Sequence, residues 1–368
     1  MSLKYQTEIY RIGLHPISFI IGDFNQDLAI DLIVTNADSH SLSILLGNGD
    51  GTFQTQLIYS TGNNTSPREI VAGDFNNDTF VDLAVTLATK NKIILLYGHN
   101  ASNSIFSSPI EFSGYSFNNI PTAMTASDIN HDGFIDLIVS RQTNISNTKG
   151  KLMIFLNRGN GYQFDNANTF STIAMADIFS IIIADFDRDG KENEMSLCRH
   201  NGDIITYSIT KIGNSLRAKQ ISKHFLYEYP SILVKGKFND DDLDDLATIS
   251  SQSNTLQVLL AYEKEIFVQQ IYLTYHYPIS IARINFNNDQ IDDLAVLHCN
   301  GTITIFLGTK IGIFNRNYLL FHVDRMNINL CFQSVKVIDL NQDKKDDLVV
   351  IDTEMNSIRV VLGIDCHQ

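Results

Sequence analysis

GDFNQDLAIDL, residues Gly22 to Leu32, sets oxygen-bearing side chains at the first, third, fifth and ninth positions after its glycine: Asp23, Asn25, Asp27 and Asp31. The same spacing returns as GDFNNDTFVDL (Gly73–Leu83), SDINHDGFIDL (Ser127–Leu137) and ADFDRDGKENEM (Ala184–Met195). It continues as GKFNDDDLDDL (Gly236–Leu246), INFNNDQIDDL (Ile284–Leu294) and IDLNQDKKDDL (Ile338–Leu348). The first loop residues are Asp23, Asp74, Asp128, Asp185, Lys237, Asn285 and Asp339, at steps of 51, 54, 57, 52, 48 and 54 residues. A recurrence of that length identifies one supersecondary unit repeated seven times.

Each copy shares its flanks. A short apolar run leads into the loop, Leu-x-Val alternation follows, and a second apolar run such as SLSILLG or TITIFLG comes next. Alternation over four to six residues between Gly, Asn and Asp clusters reads as β-strand, and no 12-residue window holds a helical period. Four short strands every 50 residues or so predict a seven-bladed β-propeller, all-β, as a single domain over residues 1–368. The strand before each aspartate loop is A, the innermost, with B, C and D outward. The seventh unit runs out after three strands, near Val335–Asp339, Leu348–Asp352 and Ser357–Leu362, whereas KYQTEIYR (Lys4–Arg11) has strand D character and no blade of its own. The ring is therefore expected to close by pairing the N-terminal strand into the last blade, which removes two sheet edges.

The loops carry the chemistry. A hard cation takes six to eight oxygens at about 2.3–2.6 Å, and alternate residues of a tight loop can aim side chains at one centre, with the seventh residue offering its carbonyl. The start of an EF-hand loop is spaced this way, but the Glu at position 12 is missing and strands flank the loop, which excludes an EF-hand. Turns also favour Asp and Asn, yet a turn needs one such residue, whereas three carboxylates here converge within nine positions at a repulsive cost that a cation would remove. Calcium is preferred to magnesium because all-protein oxygen cages suit the larger, less tightly hydrated ion.

The copies rank themselves. Complete sets stand in blade one (Asp23, Asn25, Asp27, Asp31), blade two (Asp74, Asn76, Asp78, Asp82), blade three (Asp128, Asn130, Asp132, Asp136) and blade seven (Asp339, Asn341, Asp343, Asp347). These are expected to bind best. Blade four has Asp185, Asp187 and Asp189, with one inserted residue leaving either Asn193 or Glu194 as the ninth ligand. Blade six begins with Asn285, followed by Asn287, Asp289 and Asp293, and is expected to bind more weakly. Blade five has Lys237 at the first position, where the ammonium is expected to replace the metal by pairing with Asp241 and Asp245. About four to six calcium ions are expected in all. Filling the five better loops brings ten positive charges and moves the formal net charge from −14 to −4.

The string Gly22–Phe53, GDFNQDLAIDLIVTNADSHSLSILLGNGDGTF, closely resembles the FG-GAP/VCBS repeat of integrin α-subunit propellers and of secreted adhesins and lectins. The other copies are similar but eroded: where the first reads GNGDGTF, later ones read LNRGNGYQF, LGTKIGIF or AYEKEIF. The resemblance implies calcium in the A–B loops on the lower face. It also implies a protein or glycan ligand on the opposite face, made by D–A and B–C loops, and an extracellular or cell-surface setting. On that face YSFNNIP (Tyr115–Pro121), FLYEYP (Phe225–Pro230) and YLTYHYP (Tyr272–Pro278) are rich in aromatics. Packing between blades would explain most of these, and Tyr229, His276 and Tyr277 are the first candidates for ligand contact.

Composition narrows the function further. An excess of 14 acidic over basic residues repels phosphate backbones and excludes nucleic acid as a favoured partner. No apolar run approaches the roughly 18 residues of a membrane span, and the N-terminal residues lack the apolar stretch of a secretory signal. Cys198, Cys299, Cys331 and Cys366 are too few and dispersed for a disulfide framework, so buried or free thiols are expected, with a Cys331–Cys366 bridge conceivable in the last repeat. Six Asn-x-Ser/Thr sequons, at Asn63, Asn64, Asn77, Asn100, Asn144 and Asn300, speak only faintly for secretion in so Asn-rich a chain. No GxSxG or HExxH motif occurs and the histidines are scattered. The expected function is therefore a calcium-binding interaction module without catalysis, used in adhesion or in protein or glycan binding. The alternative is a domain, catalytic or not, of a secreted polysaccharide-active enzyme.

Overall fold

Strand B of the first repeat, Asp31–Asn36, is buried along its whole length, and its side chains alternate between two cores. Leu32 and Val34 pack with Val349, Ile351, Ile358 and Val360 of the last repeat, whereas Ile33 packs with Ile70, Leu83 and Val85 of the next. Period-two alternation thus gives every blade one face for each neighbour. Seven such inter-blade cores occupy the computed structural model, one at each blade junction including that between the seventh blade and the first. An open array of seven sheets would have only six. The structure describes residues 6–362 apart from 102–103, 113–119, 142–150, 160–163, 166–167, 171–177, 200, 214, 227–229, 263–265, 316–319 and 323–333.

The described residues form seven four-stranded antiparallel sheets, an extra two-stranded ribbon of Gly98–Ala101 with Ser104–Phe106, and a single helical turn, Ala88–Lys90. In blade one the strands are A Pro16–Gly22, B Asp31–Asn36, C Ser41–Leu45 and D Leu57–Ser60, paired in chain order. Blade four carries the longest outer pair, Asp203–Ile212 with Ser215–Phe225.

The ring closes as the sequence predicts. Gln6–Arg11 pairs antiparallel with strand C of blade seven, Ser357–Leu362, from Gln6 opposite Leu362 to Arg11 opposite Ser357. Tyr10 of this closing strand accepts a hydrogen bond from the Phe53 amide at 3.2 Å, and its ring meets Phe53 edge-on at 5.3 Å. The Ile12 amide donates to Asn356 O at 3.0 Å.

The cysteine expectation needs correction. Cys198 is a free, buried thiol as expected, but Cys299 is disulfide-bonded rather than free. Cys331 and Cys366 themselves lie outside the described residues. Sequence could not show this because four dispersed cysteines carry no spacing signal, and Cys299 simply follows strand B of blade six.

Candidate metal centre

Each loop is pinned by the residue after its first position. Phe24, Phe75, Ile129, Phe186, Phe238, Phe286 and Leu340 are all buried, so the loop backbone starts from an inter-blade core and turns outward on one face. Two left-handed residues then curl it: Gln26 (φ 60°) and Leu28 (φ 72°) in blade one, Asn77 and Thr79 in blade two, His131 and Gly133 in blade three. Alternating right- and left-handed residues point successive amides inward, a geometry that gathers negative oxygens.

In blade one Asp23 accepts from the amides of Asp27 (3.1 Å) and Leu28 (2.9 Å), and Asp27 accepts from that of Ala29 (2.8 Å). The Asn25 carboxamide accepts from the Asp27 amide at 3.1 Å and donates to the Asp27 carboxylate at 2.8 Å. The same bonds recur at Asp74, Asn76 and Asp78 and at Asp339, Asn341 and Asp343. A cation here would take oxygens that now hold the loop together.

The ninth residue does different work. Asp31 is fully buried, with one carboxylate oxygen accepting from Phe24 N at 3.0 Å and the other from Gly47 N at 2.8 Å. It thus ties the loop entrance and the end of strand C to the start of strand B. Asp82, Asp136, Asp245 and Asp293 repeat this double clamp, Asp347 accepts from Leu340 N at 2.9 Å, and Glu194 accepts from Phe186 N at 3.2 Å. The close approach explains the glycines that end strand C: a Cβ on Gly47 would lie 2.3 Å from Ile30 O, and one on Gly98 2.4 Å from Val81 O.

Burial pushes these carboxyls up: Asp31 and Asp293 to about 6, Asp82 and Asp245 to about 7, Asp136 and Glu194 to about 8. The clamping amides oppose the shift, and the neighbouring loop carboxylates, such as Asp27 and Asp23 beside Asp31, add to it. Each loop thus gathers several acidic groups within a few residues of one another.

The two strongest geometric cases for a cation are in blades three and four. Asp185, Asp187 and Glu194 offer carboxylate oxygens within 4.8 Å of one another, the one such acidic group among the described residues. Glu194 takes the ninth position, and Asn193 instead uses its backbone carbonyl to accept from Ile209 N at 2.9 Å. The longer glutamate side chain compensates for the inserted residue. In blade three Asn130 is 9% exposed and both polar atoms of its carboxamide lack a partner, a cost that coordination of its oxygen beside Asp128 and Asp132 would relieve in part. Lys211 from the long hairpin of blade four reaches within 3.5 Å of Asp132, so an ammonium already samples the charge of that loop.

Blade five differs from expectation in detail. Lys237 lies 3.8 Å from Asp242, not on Asp241 or Asp245, because both oxygens of Asp245 are taken by the amides of Phe238 and Ala261. In blade six Asn285 grips the Asp289 carbonyl at 2.9 Å, and Asn287 donates to the Asp289 carboxylate at 2.8 Å.

Sequence reasoning missed a second use of the aspartates. The eighth loop residue is Ile30, Val81 or Ile135 in blades one to three but Asp244, Asp292 or Asp346 in blades five to seven. These three accept from the first-residue amide of the preceding blade: Asp244 from Asp185 N (3.3 Å), Asp292 from Lys237 N (2.7 Å) and Asp346 from Asn285 N (2.7 Å). The doubled aspartate of DDL was the available signal. Elsewhere the loops are linked by Gln26 donating to Thr79 O (3.0 Å) and Gln342 to Leu28 O (2.9 Å).

On the opposite face, Tyr275, His276 and Tyr277 are exposed on the connection into strand A of blade six. Tyr229 and most of Tyr115–Pro121 lie outside the described residues.

Comparison with known proteins agrees with this architecture. The FG-GAP-like repeat family matches residues 23–85 and 128–192. No curated protein matches the chain. Among solved structures, a crystal structure of BBS1N in complex with ARL6DN, soaked with lead, is similar over 100% of this chain and 98% of that one, at 13% identity and a TM-score of 0.64. A second, soaked with mercury, covers 98% of this chain and 95% of its own, at 12% identity and a TM-score of 0.63. At such identities the likeness is one of fold.

Proposed function

Starting from a seven-bladed propeller that carries FG-GAP-like repeats, we propose that this chain is a non-catalytic interaction module, stiffened by calcium at its A–B loops and docking a partner protein on the opposite face. The observation that carries the cation reading is the acidic group of Asp185, Asp187 and Glu194, supported by the unpartnered carboxamide of Asn130. A bound divalent ion would neutralise carboxylates that now repel one another and hold each A–B loop at one curvature. Asp185, Asp187 and Glu194 would hold it in blade four, and Asp128, Asn130 and Asp132 in blade three.

A protein partner is supported by the similar propeller, itself crystallised in complex with a protein, and by the exposed Tyr275, His276 and Tyr277. Exposed aromatics with a polar tip are well suited to anchor such an interface. The Cys299 disulfide favours an oxidising, extracellular setting.

The test is cross-linking of the purified chain to a candidate cell-surface proteome, in calcium and in chelator, with His276→Ala/Tyr277→Ala as the control. The reading predicts partners captured in calcium and lost in the double variant. Equal capture by the variant would contradict the assigned face, and turnover of polysaccharide by the wild-type chain would contradict the non-catalytic reading.

A further inference from the structure

Among the described residues, the first strands of six blades wall an axial cavity of about 680 Å³ that lies apart from the A–B loops and from the exposed tyrosines. That volume falls in the usual range for small-molecule sites. Its wall is apolar at Val71, Met124 and Phe179 and carries hydroxyls at Ser18, Thr125 and Ser334. Phe179 is 44% exposed and contributes an aromatic ring to the lining.

Two opposite charges stand in this wall. Glu69 belongs to strand A of blade two, Pro67–Gly73, and Lys336 to that of blade seven, Ser334–Ile338, with blade one between them. No ion pair within 4.0 Å joins them, although each feels the other's charge. Lys336 donates one proton to Phe19 O and sits 5.1 Å from the Phe19 ring, which fixes the ammonium at the closing seam with two protons to spare. The Glu69 amide pairs with the Thr86 hydroxyl at 2.9 Å, but its carboxylate has no hydrogen bond among the described residues. Glu69 lies five residues before the first loop residue of its blade and Lys336 three before. Along the axis the two are thus offset by two residues, about 6–7 Å.

Burial pushes the Glu69 carboxyl up and the Lys336 amine down to about 8, each partly offset by the charge of the other. Both side chains are half-buried in the wall, close enough to feel one another yet without a direct ion pair, so a bridging ligand could meet both. A ligand with an ammonium at one end and a carboxylate at the other would pair both. We infer that the axial cavity is a binding site for a small zwitterion with an apolar body, of the α-amino-acid or dipeptide class, with its ammonium on Glu69 and its carboxylate on Lys336.

The experiment is calorimetric titration of the full chain with free apolar amino acids and dipeptides, and with their N-acetyl and C-amide forms. Free zwitterions are expected to bind, and blocking either end is expected to weaken binding about tenfold or more, the worth of one charge-assisted hydrogen bond. Glu69→Gln is expected to abolish the penalty for N-acetylation alone, and Lys336→Met that for amidation alone. No heat from any zwitterion in the millimolar range would overturn the proposal. So would blocked ligands that bind wild-type protein as well as free ones, a comparison that does not depend on how the variants fold.

Discussion

Leu28 illustrates how the loop geometry is imposed on residues that do not favour it. It is 79% exposed and sits at φ 72°, where blades three and four place Gly133 and Gly190. A left-handed backbone costs a non-glycine residue about 1–2 kcal/mol, part of which glycine returns as unfolded-chain entropy. Leu28→Gly is therefore expected to stabilise the chain by about 0.5–1 kcal/mol, read as a rise in denaturation midpoint; a fall would show that Leu28 makes a contact worth keeping. The buried ninth-position carboxyls set the pH response. Their folded-state values, from about 6 at Asp31 to about 8 at Asp136 and Glu194, lie above the ordinary one. The folded chain thus holds these protons more tightly than the unfolded chain. That contribution is complete below pH 4 or so and is lost as pH rises through 6 to 8. In chelator, thermal stability should fall from pH 5 to pH 9 on this account, and saturating calcium should flatten the fall. An identical profile with and without calcium would mean that the ion does not meet these carboxyls.

At the scale of the element, the ninth carboxylate separates structure from metal binding. Asp245 clamps Phe238 N at 2.9 Å and Ala261 N at 2.7 Å in the blade whose loop begins with Lys237. Asp245→Ala would strand two buried amides and should cost about 2–4 kcal/mol, by the same amount in calcium and in chelator. A cost that vanishes in chelator would move this residue from clamp to ligand. The strand content of each unit was legible from alternation alone, and the closing strand from the missing fourth strand of the last repeat. The clamp was not, since a side chain that accepts two backbone amides and one that binds a cation both require a carboxylate at that position. Likewise DDL in blades five to seven read as loop chemistry, although Asp244, Asp292 and Asp346 latch neighbouring blades through contacts 55 to 61 residues distant in the chain. The ranking of loops by completeness took no account of side-chain length, and the acidic group came together in blade four through Glu194, after an insertion.

The whole molecule is a ring whose last sheet is completed by its first strand. Removing residues 1–12 would open the edge of Ser357–Leu362 and uncover part of the core shared by Phe19, Val349 and Ile358. A fall of several degrees in Tm for the entire chain, in one cooperative transition, is expected; an unchanged Tm would mean that the seam carries no load. On the proposed reading, cations would act on the same ring from below, through seven loops on one face of which four to six are expected to be occupied. The direct test is calcium titration of the chelator-stripped chain, followed by calorimetry and by the thermal midpoint. The account predicts about four to six ions bound, a rise in Tm, and a lower count when Asp185 and Asp187 are both changed to Asn. No binding heat together with an unmoved midpoint would contradict it.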